Sequence, residues 1–162
     1  MEVIKYSDNY YQEVAVLIAS FRVHLKSLKG VITNPDIESA KEELTSFIND
    51  KQYPIYLCID NNKVLGYMIL KVDGVIWVEQ LFVKEECRRQ GVASLLYQQA
   101  EIINNEIGED TLFVYVHPNN EAMIAFLNSK GYSVLNLIEI RKPFKEEKLT
   151  TKIDVNNHQF DY

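Results

Sequence analysis

Residues 81–94 read Leu81-Phe82-Val83-Lys84-Glu85-Glu86-Cys87-Arg88-Arg89-Gln90-Gly91-Val92-Ala93-Ser94. An apolar strand ends, a charged turn follows, and a helix begins near Gly91. The first N–H groups of a helix have no intrahelical partner, and the macrodipole adds partial positive charge beside them. An anion such as a pyrophosphate can rest directly on such a backbone. Gly91 has no Cβ and Ala93 only a methyl group, so a bulky anion can approach the amides closely. Lys84, Arg88 and Arg89 place three cations around the same turn of a chain whose net charge is −6. The structural alternative is an ordinary glycine at a helix start with solvated arginines beside it. Two other anion loops are absent from the sequence: neither Gly-x-x-x-x-Gly-Lys-Ser/Thr nor Gly-x-Gly-x-x-Gly occurs.

Downstream, Val92, Leu95, Leu96, Ile103 and Ile107 form a helical stripe that ends near Gly108. Leu112 to Val116 is a short β-branched and aromatic run closed by His117-Pro118. A further helix is predicted from Asn119 or Asn120 to Lys130, stopped by Gly131, with strand-like material from Tyr132 to Ile140. Upstream, three strand-like runs are joined by turn chemistry: Ile55–Ile59, then Asp60-Asn61-Asn62, Val64–Val72, then Asp73-Gly74, and Val75–Val83. Asp-Gly suits a type I′ turn, so these runs read as an antiparallel meander. Before them, Val14, Leu17, Ile18, Phe21, Leu25 and Leu28 mark one helix and Ile37, Ala40, Leu44, Phe47 and Ile48 a second, preceded by the short apolar segment Val3-Ile4.

The predicted order is β-α-α-β-β-β-α-β-α-β-β. It implies an α/β (α+β) fold with a mixed, mostly antiparallel sheet and helices on both faces. The strands flanking the central helix form a β-α-β unit and hence a parallel pair. One parallel pair in an antiparallel sheet makes a place where strands can splay and admit a ligand. Function is expected there.

Composition bounds the rest. At 162 residues the chain has the size of one domain, and 47% apolar with 25% charged residues excludes disorder as a whole. The two cysteines, Cys58 and Cys87, show no metal-ligand spacing, and His24, His117 and His158 show none either, so no metal site is expected. An acidic balance without a basic block argues against nucleic-acid binding. No membrane-length apolar run and no signal-peptide pattern occur, so no membrane partner and a cytoplasmic location are expected. The polar, aperiodic stretch 145–162 reads as a loosely held C-terminal tail on a domain formed by residues 1–144.

The loop Arg88-Arg89-Gln90-Gly91-Val92-Ala93 resembles the Arg/Gln-x-x-Gly-x-Gly/Ala loop of the GNAT superfamily of N-acetyltransferases. Leu81-Phe82-Val83 stands at that family's Leu-x-Val position, and Asn120, Phe126-Leu127 and Gly131-Tyr132 are similar to its downstream helix segment. The predicted element order is also the family's. The resemblance implies acetyl-CoA as acyl donor. Leu81, Phe82 and Val83 would pair with the pantetheine arm, the amides of Arg89, Gln90, Gly91, Val92, Ala93 and Ser94 would hold the diphosphate with Arg88 opening the loop, and Asn120 would hydrogen-bond the donor. The alternative for Asn120 is a helix N-cap.

For direct attack of an amine on a thioester, a base must take the ammonium proton and an acid must protonate the departing thiolate. Glu79 is the base candidate. Strand alternation puts Trp77, Glu79, Leu81 and Val83 on one face, and apolar neighbours raise a carboxylate's proton affinity. The alternative is a Glu79 that points to solvent. Many relatives carry a tyrosine seven residues after the asparagine, and here that position is Leu127, which has no proton to donate. Tyr115 is the candidate acid, with His117 and Tyr132 behind it. Tyr115 also alternates with Phe113 and so can serve packing alone. Cys87 reads as a small apolar residue.

The resulting expectation is an N-acetyltransferase acting on a primary amine of a small molecule or peptide. The acceptor region would include Arg22, His24, Lys26, Lys29, Asp36 and Glu38. The competing expectation is a non-catalytic acyl-CoA sensor, which Leu127 favours. A homodimer through the apolar stretch Val134–Ile140 is also compatible with the sequence.

Overall fold

Three consecutive strands carry the sheet. β2 (Ile55–Asp60), β3 (Lys63–Asp73) and β4 (Val75–Val83) pair antiparallel, as the turn chemistry between them predicts. Asn61 and Asn62 both adopt positive φ in the first turn, whereas in the second only Gly74 does. The Asp73-Gly74 connection is therefore not the type I′ turn expected from its sequence. β1 (Glu2–Lys5) adds antiparallel to β2, and β5 (Phe113–Val114) adds parallel to β4, giving the order β1-β2-β3-β4-β5.

The computed structural model describes residues 1–162. α1 (Tyr11–Ser27) and α2 (Ile37–Asn49) pack together on one face of the sheet. Val14, Leu17, Ile18, Ala40 and Leu44 meet Leu57, Tyr67 and Ile69 there in one apolar cluster. Asp36 caps α2 by accepting from the Ser39 amide at 3.0 Å. α3 (Val92–Glu106) lies against β1 to β4 through Val92, Leu96, Tyr97 and Ala100, while Cys58, Met68 and Leu70 alternate with the residues of the first cluster. No helix is long and apolar enough to cross a membrane.

Two compact units divide at Phe126/Leu127, within α4 (Glu121–Ser129). In the second unit the sequence reading needs correction. Residues 132–140 form no strand, and the final strands are β6 (Lys152–Val155) and β7 (His158–Asp161), inside the stretch read as a loose tail. The apolar residues between 132 and 140 come in adjacent pairs, Val134-Leu135 and Leu137-Ile138, which is not the period-2 alternation of a half-buried strand. Asn156 and Asn157, both at positive φ, make the turn that fixes the β6–β7 register. Ladder bonds between Thr151 and Tyr162 close that hairpin at its open end.

Candidate active site

The register of β3 against β4 shifts once. Ile69 opposes Gln80 and Leu70 opposes Val78, which leaves Glu79 as the extra residue of a β-bulge. The shift exchanges the faces of β4. Val78 pairs with Leu70 toward α3, whereas Gln80 and Phe82 pair with Ile69 and Tyr67 toward α1 and α2. Trp77 therefore does not share a face with Leu81 and Val83, contrary to simple alternation. Glu79 is exposed, not enclosed by apolar neighbours.

β5 pairs with β4 only at Trp77–Phe113 and Val78–Val114. Past that point the strands separate, and residues 79–83 have no strand partner on that edge. The opening is a cleft of about 400 Å³ including its mouth, lined by Phe21 and Leu25 of α1, Glu79, Gln80 and Leu81 of β4, and Tyr115, His117 and Asn120 beyond β5. The side chain of Asn119 donates to the Leu28 carbonyl at 2.8 Å, which ties the far wall of the cleft to the end of α1.

Gly91 has φ 89° and precedes α3 with no side-chain cap, so its first-turn amides carry no capping side chain. Arg89 also sits at positive φ, 61°, an uncommon conformation for a residue with a Cβ. Gln90 Nε2 donates to the Glu86 carbonyl at 2.9 Å, and Arg88 Nε donates to the Val83 carbonyl at 3.3 Å. The Arg88 guanidinium lies 5.5 Å from the Phe82 ring centre. Ala93 and Ser94 are half-buried on the first turn and Val92 is buried beneath it.

Of the other sequence candidates, Tyr115 is 72% exposed and stacks on Trp77 with ring centres 4.6 Å apart. Asn120 lines the cleft and also accepts from the Met123 amide at 3.2 Å, so it caps α4 as well. His117 accepts at Nδ1 from the Asn119 amide at 3.2 Å. Burial, with Lys29 adding to it, pushes its pKa down; His24 is lowered in the same way by burial and then by Arg88. Leu127 is buried, and Cys87 is half-buried with a free thiol. No cluster of His, Cys, Asp and Glu side chains with the makings of a metal site occurs.

Sequence reasoning did not find a buried polar chain under the cleft. Tyr67 Oη donates to Gln80 Oε1 at 2.8 Å, Gln80 Nε2 donates to Glu43 Oε1 at 2.7 Å, and Glu43 Oε2 meets Arg22 at 2.5 Å. Its one visible signal was a glutamine beside Glu79 in a strand whose other residues are apolar.

A sheet opened at one parallel pair with a bulged carboxylate in the opening, and a glycine-led helix start following the same strand, are features suited to a proton acceptor and to an anionic carrier respectively. Residues 24–132 match the model of the acetyltransferase (GNAT) family. The chain belongs to that family, whose members use acetyl-CoA, and its class of activity is acetyl transfer. No curated sequence matches it. Among solved structures, a probable acetyltransferase superposes with TM-score 0.71 at 22% identity, over 91% of this chain and 100% of that one. The aminoglycoside antibiotic 6'-N-acetyltransferase AAC(6')-IG from Acinetobacter haemolyticus gives 0.66 at 17% identity, over 90% and 100%. AAC(6')-Iy in complex with the bisubstrate analog CoA-S-monomethyl-acetylneamine gives 0.67 at 14%, over 89% and 98%.

Proposed function

We propose that the protein transfers an acetyl group from acetyl-CoA to a primary amine of a small molecule or peptide. The observation that carries this reading is the exposed, bulged Glu79 at the mouth of a split sheet whose other landmark is the uncapped start of α3. Bound acetyl-CoA would supply a thioester carbonyl and a thiolate leaving group. The free edge of Leu81, Phe82 and Val83 offers backbone donors and acceptors to an extended amide arm, in the manner of an added strand. The amides of residues 89–94 bind the diphosphate, with Arg88 and Arg89 neutralising its charge. Glu79, or a water it polarises, takes the proton from the acceptor's ammonium. A backbone N–H of the unpaired edge stabilises the developing oxyanion. Tyr115 is the assigned acid. Since a free thiol's pKa is about 8.5, departure of the thiolate does not depend strictly on that proton.

The acceptor reading favours a cationic amine. Glu79 lies in the cleft, the net charge is −6, and two of the similar structures are named for aminoglycoside acetylation. On this reading residues 1–144 are the catalytic domain and 145–162 an appendage. Exposed apolar side chains at Val134, Leu135, Leu137 and Ile140 support pairing of two copies through that stretch. Leu127 favours a second reading, an acyl-CoA sensor without turnover, because a buried leucine stands where relatives carry a proton donor.

The deciding experiment is thiol release from acetyl-CoA across polyamines, aminoglycosides, amino acids and short peptides, with products weighed by mass spectrometry. Amine-dependent release with an acetylated product is expected. Binding of acetyl-CoA without release from any of these amines would favour the sensor.

A further inference from the structure

Gln80 is a polar residue of β4 that the fold buries, at 7% exposure, and it stands directly after the bulge. Two elements bond its amide directly and a third holds one of them in place. Tyr67 of β3 donates to its oxygen, and its nitrogen donates to Glu43 of α2. Glu43 is held in turn by Arg22 of α1, which also donates to Ser39 Oγ at 2.7 Å. Tyr67 is fully buried, and burial, then the nearby Glu43 charge, raises its pKa well above the usual range. Its hydroxyl thus remains a donor throughout the working pH range. The Gln80 amide has one orientation that satisfies both neighbours, with oxygen toward Tyr67 and nitrogen toward Glu43.

Those contacts bear on register. A slip of β4 by one residue, which would erase the bulge, would turn Gln80 from the α1–α2 face to the opposite, α3-facing side of the sheet. It would also leave Tyr67 Oη without its acceptor and bring the Glu79 carboxylate toward the Glu43 carboxylate. Both consequences are costly in a buried site.

We propose that Gln80 is a positioning residue for acyl transfer: clamped between Tyr67 and Glu43, it fixes the bulge that turns Glu79 and the free edge of β4 into the cleft. The kinetic consequence rests on the acetyl-transfer reading; the structural consequence does not.

Gln80→Leu and the milder Tyr67→Phe test this through steady-state kinetics together with backbone hydrogen exchange. Gln80→Leu should lower kcat by about tenfold to a hundredfold, the scale expected for misplaced reacting groups. The KM for acetyl-CoA should change by less than about threefold, since the α3 loop is untouched. Amides of residues 78–82 should exchange faster than in the parent, while those of α3 keep their rates. Tyr67→Phe, which keeps the ring and loses only the donor, should move kcat and exchange in the same direction by less, and it carries the test alone if Gln80→Leu does not fold. Unchanged kcat would overturn the proposal, even with a lowered Tm. A kcat loss with unchanged exchange at 78–82 would overturn it too, because Gln80 would then act on substrate directly. If the parent protein acetylates no amine, the functional reading fails, and the exchange data still decide whether the clamp holds the bulge.

Discussion

Glu79 and Gln80 are neighbours in sequence with opposite environments, one exposed and one buried between two hydrogen-bonding partners. On the proposed reading, the exposed Glu79 acts as a base through its placement beside the acceptor. Glu79→Gln keeps the size and removes the proton acceptor, and kcat/KM should fall by roughly a hundredfold near neutral pH. The deficit should shrink at alkaline pH, where the acceptor amine is already neutral; a pH–rate profile identical to the parent's would remove Glu79 from the role. The sequence assigned Glu79 to the strand 75–83 but misjudged its surroundings, since one inserted residue inverts alternation and leaves no periodic trace. The clamp around Gln80 was illegible for another reason: its partners lie 13 and 37 residues away in sequence. For Asn120 the sequence offered a donor contact or, alternatively, a helix N-cap; the structure shows the cap, and the residue also lines the cleft.

At the scale of elements, β4 leaves no room for a side chain at Gly66 of β3. A Cβ built there lies 2.7 Å from the Phe82 carbonyl oxygen and 3.2 Å from Val83 Cα, both backbone atoms that cannot swing aside. Gly66→Ala should therefore cost about 1–3 kcal/mol, read as a lower urea midpoint at an unchanged m value. A neutral result would mean that the two strands separate there more easily than their register implies. The helices and the β2–β4 meander were legible because each carries its own period and its own punctuation. Asp36 before α2, Gly91 before α3 and the asparagine pair after β2 are local signals, and the structure uses all three. The last strands were not legible. Residues 132–140 have apolar content without alternation, whereas β6 and β7 are short, polar and specified chiefly by the turn at Asn156-Asn157. β5 is shorter than its apolar run because the chain leaves β4 after two paired residues to form the cleft.

For the molecule as a whole, the two half-buried histidines tie stability to pH. His24 and His117 titrate below the ordinary 6.5, burial being the larger cause for each, so near that pH the unfolded chain binds more protons than the folded one. Their contribution is fully present above the unfolded value and is lost as pH falls through the folded values. Tm should accordingly be lower at about pH 5 than at about pH 7.5, and the gap should narrow in His24→Gln. An identical gap in the variant would assign the acid sensitivity to other groups. The strand order has a further consequence. From β1 to β5 the order in space is the order in the chain, so the sheet grows outward at a single margin as synthesis proceeds. The β2–β3 and β3–β4 hairpins close through short loops and carry a small entropic cost of closure, whereas β5 must wait for α3 to be complete. A nascent chain halted before residue 113 would possess the meander and the bulge but only one bank of the cleft, so on the proposed reading the acceptor's pocket is completed only after α3 has been made.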